Sequence, residues 1–241
     1  MSRFSIIIPA YNEEKCLPAA LSAVNRAVES LAMAGEVIVV DNNSTDRTAS
    51  IASEYNAKVV FEPINQISRS RNAGASAANG DFLIFVDADT VVTRTLIQRS
   101  LYNLDSGHCC GGGSTVEPNI PLAPSYRFAL WLWTQISVRL RLAAGCFLYC
   151  LREAFEAVGG FSEKVYAGEE IWLSGELRRW GKARGLDFEV IQSAPVVTSA
   201  RKLAWYSDTE LIRLTLAMLL FPLISRSRRW CRLWYDRPTR Y

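Results

Sequence analysis

An apolar run ends in two carboxylates one residue apart, Asp81-Phe82-Leu83-Ile84-Phe85-Val86-Asp87-Ala88-Asp89-Thr90, the strongest chemical signal in this chain. In an extended strand, residues two apart point to the same side, so Asp87 and Asp89 are expected to converge on one hard cation. Carboxylate oxygens suit Mg2+ or Mn2+, and Mg2+ usually completes its shell with water and substrate phosphates instead of a full protein cage. That chemistry points to a phosphorylated substrate. The plainer alternative is a pair of acidic residues that stops a strand at a turn.

Two further polar clusters follow apolar β-rich runs: Pro9-Ala10-Tyr11-Asn12-Glu13-Glu14 and Asp41-Asn42-Asn43-Ser44-Thr45-Asp46. The runs predict strands over 4–8, 36–40, 58–61 and 82–86. Amphipathic stretches between them predict helices over 14–33, 47–55 and 67–78, with Ser44, Thr45 or Asp46 available to cap the second. This βαβαβαβ series implies a parallel sheet with crossover helices, and such sheets bind ligands beyond the carboxyl ends of their strands. All three polar clusters fall at that edge. Downstream, the glycines 111–113 are expected to form a flexible or tightly packed turn. Helices are expected over 125–142 and 170–179.

Length and composition narrow the function. The 241 residues, 49% of them hydrophobic, are enough for one α/β domain with a real core, and Lys+Arg 27 against Asp+Glu 24 implies no general nucleic-acid surface. There is no G-x-x-x-x-G-K-S/T loop and no G-x-G-x-x-G after the first strand, so a bound nucleotide diphosphate would depend on a metal and cationic side chains. The six cysteines include no C-x-x-C pair and His108 is the sole histidine, which excludes a familiar zinc motif. The cysteines are read as reduced, small core residues and the protein as cytoplasmic, since the short apolar start does not resemble a secretory signal.

With these segments in place, the chain resembles the family 2 glycosyltransferases, whose fold is called GT-A. The resemblance rests on Ile6-Ile7-Ile8-Pro9-Ala10-Tyr11-Asn12-Glu13-Glu14, Val39-Val40-Asp41-Asn42-Asn43-Ser44-Thr45-Asp46, Ser70-Arg71-Asn72-Ala73-Gly74 and Gly80 through Asp89. A fifth segment is Val158-Gly159-Gly160-Phe161 followed by Gly168-Glu169-Glu170-Ile171-Trp172-Leu173. It implies a Rossmann-like, mostly parallel sheet flanked by helices, with a nucleotide-sugar-binding half over about residues 1–105 and an acceptor half over about 106–200 of a single domain. A C-terminal helix and basic tail would occupy about 201–241.

The resemblance also implies roles. Pro9, Tyr11, Glu13, Asp41 and Arg71 would line the nucleotide pocket, with Tyr11 against the base, Asp41 accepting from base or ribose, and Arg71 aimed at the nucleotide or its phosphates. Asp89 would be the direct metal ligand. Asp87 would contact the ribose, or the metal through water. The base that deprotonates the acceptor hydroxyl would be Glu170, although the family more often has Glu-Asp there, and this leaves Glu169 as the alternative. A second departure is the absence of any histidine after His108 to serve as a further metal ligand; water would take its place, or Arg201 and Lys202 would hold the diphosphate, unless these two form a solvated basic turn.

The expected activity is inverting transfer from a nucleotide-sugar, UDP- favoured over GDP-, to a hydroxyl on a glycan, a lipid-linked acceptor or a small molecule. The alternatives are a sugar-phosphate nucleotidyltransferase and a non-catalytic carbohydrate- or membrane-binding protein with the same fold. The apolar stretch 211–222 is too short and interrupted to read as a membrane span. The basic and aromatic tail after it, with Arg226, Arg228, Arg229, Trp230, Arg232 and Trp234, suits peripheral contact with an anionic membrane at its inner face. Trp131 and Trp133 beside Arg127, Arg139 and Arg141 form a second candidate surface.

Overall fold

The computed structural model describes residues 3–201, 225–231 and 235. The chain runs β1 (Phe4–Ala10), α1 (Leu17–Glu29), β2 (Gly35–Asp41), α2 (Thr48–Glu54), β3 (Lys58–Phe61), α3 (Ile67–Ala77), β4 (Phe82–Val86) and the short β5 (Thr90–Val91). It continues through α4 (Arg94–Asp105), β6 (Cys109–Pro118), α5 (Pro124–Leu140), β7 (Phe147–Leu151), α6 (Arg152–Ala157), α7 (Glu169–Lys182) and β8 (Asp187–Thr198). The stretch 211–222, Lys202, Arg232 and Trp234 lie outside the described residues.

All eight strands join one mostly parallel sheet in the order β3-β2-β1-β4-β7-β6-β8-β5. β1 is parallel to both β2 and β4, and β2 to β3, whereas β7 runs antiparallel between β4 and β6. After β1 the chain builds outward through β2 and β3, then returns to place β4 on the other side of β1. The crevice beyond the carboxyl ends of β1 and β4 is therefore the topological switch point, where open α/β sheets bind ligands.

Every residue of β1 and β4 is buried, which accounts for their unbroken apolar sequences: helices cover both faces. Side chains alternate between two cores. Ile6 and Ile8 pack with Leu17, Leu21 and Val24 of α1 and Leu96, Ile97 and Leu101 of α4. Ile7, Leu83 and Phe85 pack on the opposite face with Ala75 of α3, Phe155 of α6 and Leu173 and Leu177 of α7.

Several expectations need correction. Glycines 111–113 lie inside β6 and form no turn. What they provide is space: a Cβ on Gly112 would overlap the Tyr149 ring and the Glu189 carbonyl, and one on Gly113 would come 2.7 Å from Ala143 Cα. Tyr149 fills that room, its hydroxyl donating to Glu189 O and accepting from Asn103 Nδ2, each at 2.9 Å. Helix α1 begins three residues later than expected, because the amides before it bond to side chains of the loop after β2. Arg47, not Ser44, Thr45 or Asp46, occupies the cap position of α2, although Asp46 Oδ1 accepts from Thr48 N at 2.9 Å. Four of the six cysteines are buried, whereas Cys16 and Cys146 are half-buried beside the crevice residues described next.

Candidate active site

The loops after β1 and β2 are stitched together. Asn12 N donates to Ser44 Oγ (3.0 Å), Glu13 N to Thr48 Oγ1 (2.8 Å) and Glu14 N to Asp46 Oδ2 (3.1 Å), while Asn12 Oδ1 accepts from Thr45 N (2.7 Å). Asn12 and Asn43 hold φ of 52° and 65°, a left-handed conformation that asparagine tolerates better than most residues. Asp41, at the tip of β2, is buried and its carboxylate accepts from Ser44 N at 3.0 Å. Tyr11 is half-buried at the mouth of the crevice, whereas Pro9 is buried within β1.

Asp87 and Asp89 are not in an extended strand. β4 ends at Val86, Asp87 N donates to Cys146 O at 3.2 Å, and Thr90 N donates to Asp87 O at 3.1 Å, which closes a tight turn over 87–90. The expected strand alternation is therefore replaced by a turn, and each carboxylate meets a different arginine. Asp87 Oδ1 accepts from Arg71 Nη2 at 2.9 Å, and Asp89 Oδ2 lies 3.2 Å from Arg201 Nη2.

Arg71, on α3, is only 1% exposed, and its guanidinium is held in place on several sides. Nη1 donates to Glu169 Oε1 (2.7 Å), Nη2 also donates to Gly145 O (2.6 Å), and the guanidinium carbon sits 5.1 Å from the Phe161 ring centroid. Burial opposes its charge, but Asp87, Glu169 and Glu170 outweigh burial and hold its pKa above the ordinary arginine value. Its neighbour Asn72 bonds both ways with the Phe161 backbone, at 2.9 Å each. Segments far apart in sequence, 70–74, 87–89, 158–161 and 168–173, thus meet around one guanidinium. In this geometry Arg71 positions acidic residues, and Arg69 bridges Glu62 and Glu163 toward solvent.

Gly168, with φ of 71°, starts α7 one residue earlier than expected, so Glu169 and Glu170 both lie in its first turn. Their surroundings differ. Glu169 is 4% exposed and paired with Arg71. Glu170 stands against Gly145, where a Cβ would lie 3.3 Å from its carboxylate. Burial first and the Glu169 charge second push the Glu170 carboxyl up to about 8, against the opposing pull of Arg71. A carboxylate with raised proton affinity is suited to general base work near neutral pH.

Arg201, just after β8, is not in a solvated turn. Nη2 donates to Glu13 Oε1 and Oε2 at 2.5 and 2.6 Å, and Nη1 to Cys16 Sγ at 3.0 Å. Glu13 is buried just before α1, where its carboxylate is held by Arg201 and its carbonyl accepts from Leu17 N at 2.9 Å. Sequence reasoning missed Gly145 and Cys146, whose carbonyls hold Arg71 and Asp87. The Cys146 thiol is driven well above its usual pKa by burial and by Asp87 and Asp89, which leaves it unsuited to act as a nucleophile.

Among the described residues no cluster of three or more His, Cys, Asp or Glu side chains could cage a metal. Asp87 and Asp89, each ion-paired with an arginine in this structure, offer hard carboxylate oxygens of the kind that suit a cation taking its other ligands from phosphate oxygens and water, which is how Mg2+ is usually held.

A family model described as glycosyl transferase family 2 matches residues 5–142. An uncharacterized glycosyltransferase of Mycobacterium tuberculosis is 35% identical over 103 residues, covering 43% of this chain and 44% of the relative, so the chain matches less than half of that protein's length. Among solved structures, glucosyl-3-phosphoglycerate synthase from M. tuberculosis in complex with Mn2+, UDP and glucosyl-3-phosphoglycerate superposes with a TM-score of 0.65 at 18% identity, covering 93% of this chain and 80% of that one. A mannosyltransferase from Pyrobaculum calidifontis in complex with GDP-Man and Mn2+ gives 0.66 at 19% identity, covering 96% and 64%. At such identities the structural likeness establishes the fold, the GT-A arrangement. The family model covers more than half of the sequence, including the loops after β1, β2 and β4, and on that ground the chain belongs to glycosyl transferase family 2.

Proposed function

We propose that the protein transfers a sugar from a nucleoside-diphosphate sugar, a UDP-sugar in preference to a GDP-sugar, to an acceptor hydroxyl with inversion at the anomeric carbon. The observation that carries this reading is the division of labour between adjacent glutamates. Arg71 binds Glu169 and Asp87 together, while Glu170 keeps a raised proton affinity beside Gly145. A base next to a phosphate-binding edge is what direct displacement by a hydroxyl needs, and no covalent intermediate is required.

In this reading Tyr11, Asp41 and Glu13 surround the nucleoside, with Pro9 shaping the strand end behind them. Asp89, with Asp87 beside it, would hold Mg2+ or Mn2+, which when bound neutralises charge on the departing diphosphate. The solved relatives named above are reported with UDP and Mn2+ or with GDP-Man and Mn2+, which supports this class of donor and cofactor. Arg71 holds Asp87 at the donor side and Glu169 next to the base, so its role is positioning. Glu170 accepts the hydroxyl proton as the oxygen attacks the anomeric carbon. Family membership sets aside the nucleotidyltransferase alternative.

The test is a thermal-shift panel of UDP-, GDP- and dTDP-sugars with and without Mn2+, followed by measurement of nucleotide release in the presence of candidate acceptors. A bound donor raises the melting temperature by mass action. The proposal expects metal-dependent stabilisation, greatest with a UDP-sugar; indifference to every nucleotide sugar would overturn it.

A further inference from the structure

Helix α5 turns its apolar residues outward. Phe128, Leu132, Ile136 and Leu140 recur every four residues and so form one stripe. Together with Trp131 they are 63%, 44%, 38%, 52% and 55% exposed, in the order Phe128, Leu132, Ile136, Leu140, Trp131. Of the 17 residues in the helix only Ser137 is buried. Phe128 and Trp131 stack with centroids 5.7 Å apart, whereas Trp133 is half-buried. A surface helix normally packs such a stripe on the core, and a contiguous exposed one marks a partner or a membrane. The apolar surface continues into a groove of about 640 Å3 between Trp131, Leu130 and the 116–122 segment.

A basic cleft of about 800 Å3 lies at the C-terminal end of this helix, lined by Arg139, Arg141, Arg178, Arg179 and Lys182. Arg141 pairs with Asp187, and Arg179 with Glu176. Arg139, Arg178 and Lys182 have no ion-pair partner among the described residues. Apolar stripe and basic cleft therefore adjoin at the C-terminal end of α5, where Arg139 of the cleft neighbours Leu140 of the stripe.

We propose that α5 and this cleft form a docking face for an anionic lipid bilayer. The helix would lie in the interface plane with Trp131 at headgroup level, and the arginines and Lys182 would meet lipid phosphates. Charge complementarity decides the occupant: a second copy using the same patch across a two-fold axis would bring one basic cleft toward another. No helix among the described residues is long and apolar enough to cross a membrane; the contact proposed is made by the outer surface of α5. Five residues after Leu140, Gly145 meets Arg71, so an acceptor held at the bilayer would approach the candidate base from the α5 side. The docking itself does not depend on the proposed transfer reaction.

Flotation of the full chain with vesicles of phosphatidylcholine, with and without phosphatidylglycerol, tests the proposal. Recovery with the anionic vesicles should fall about tenfold or more in Trp131→Ser/Leu132→Ser, because buried apolar area sets interfacial affinity. Arg139→Gln/Arg178→Gln/Lys182→Gln should lose the preference for phosphatidylglycerol and the sensitivity to salt. Unchanged circular dichroism and melting temperature would show that these surface variants still fold. Undiminished flotation of the Trp131/Leu132 variant would overturn the proposal, as would loss of flotation on neutralising Arg226, Arg228 and Arg229 alone, which would assign the contact to the tail. Failure to float under any condition, with a dimer in sedimentation that Trp131→Ser dissolves, would assign the face to a second copy.

Discussion

Arg71 and Glu169 form an ion pair at 2.7 Å in which the two side chains are only 1% and 5% exposed. A pair so deeply buried adds little over an apolar equivalent, but removing one member leaves an uncompensated charge. Arg71→Met is expected to destabilise the fold by about 3–5 kcal/mol, since it strands Glu169 and Asp87 together. Urea unfolding monitored by tryptophan fluorescence measures this; a loss below about 1 kcal/mol, the range of a surface pair, would show that the network contributes little.

Glu170→Gln should lower turnover by about 10² or more while leaving donor affinity nearly unchanged, because only the proton acceptor is lost. Glu169→Gln should act mainly on stability, through Arg71. Steady-state kinetics on both variants, read beside their melting temperatures, separate the roles. A selective collapse of turnover in Glu169→Gln would exchange the assignments.

The raised Glu170 carboxyl makes stability depend on pH with a definite sign. Between its usual value of 4.5 and about 8, the folded chain keeps a proton that the unfolded chain releases, so this group's contribution falls as pH rises through that window. Turnover has the opposite slope, because the base works when ionised. Glu170→Gln should flatten this part of the stability profile across about pH 5–8, measured by thermal melts in matched buffers. Parallel wild-type and variant profiles would mean that the carboxyl titrates in its usual range.

Asp89→Ala should abolish Mn2+-dependent UDP binding and leave the fold standing, because Arg201 keeps both of its bonds to Glu13. Calorimetric titration of UDP with and without Mn2+ reads this directly. Unchanged metal dependence would remove Asp89 as the principal ligand.

Gly112→Ala should destabilise by about 1–3 kcal/mol, the usual cost of overpacking, because its Cβ would meet Tyr149 and Glu189. A chemical denaturation midpoint equal to wild type would show that β6 yields at no cost.

The parts of this architecture that were legible in the sequence are those set by local pattern. β3 and β4 have the boundaries that their apolar runs predict, and the polar clusters after β1, β2 and β4 do lie at one edge. What escaped depends on long-range packing. Nothing near glycines 111–113 reveals that Tyr149 will need their space, and the pairing of Arg201 with Glu13 spans 188 positions. The Asp-x-Asp spacing suggested a shared orientation, but the chain turns over 87–90, where Thr90 N donates back to the Asp87 carbonyl. Glu169 and Glu170 look alike in sequence; only the placement of Arg71 and Gly145 tells them apart.

The tips of β1 and β2 are joined mainly by hydroxyl, carboxylate and amide side chains, with Thr48 Oγ1 holding Glu13 N at 2.8 Å. They consequently behave as a single jaw whose rivets are removable one at a time. A Thr48→Val change would leave the sheet ladder whole and free one rivet, so the edge that carries Tyr11 and Glu13 could be loosened without unfolding the protein. Under the proposed donor site, in which Tyr11 and Glu13 surround the nucleoside, the fit of the nucleobase would thus be adjustable from α2, whose first residue is Thr48.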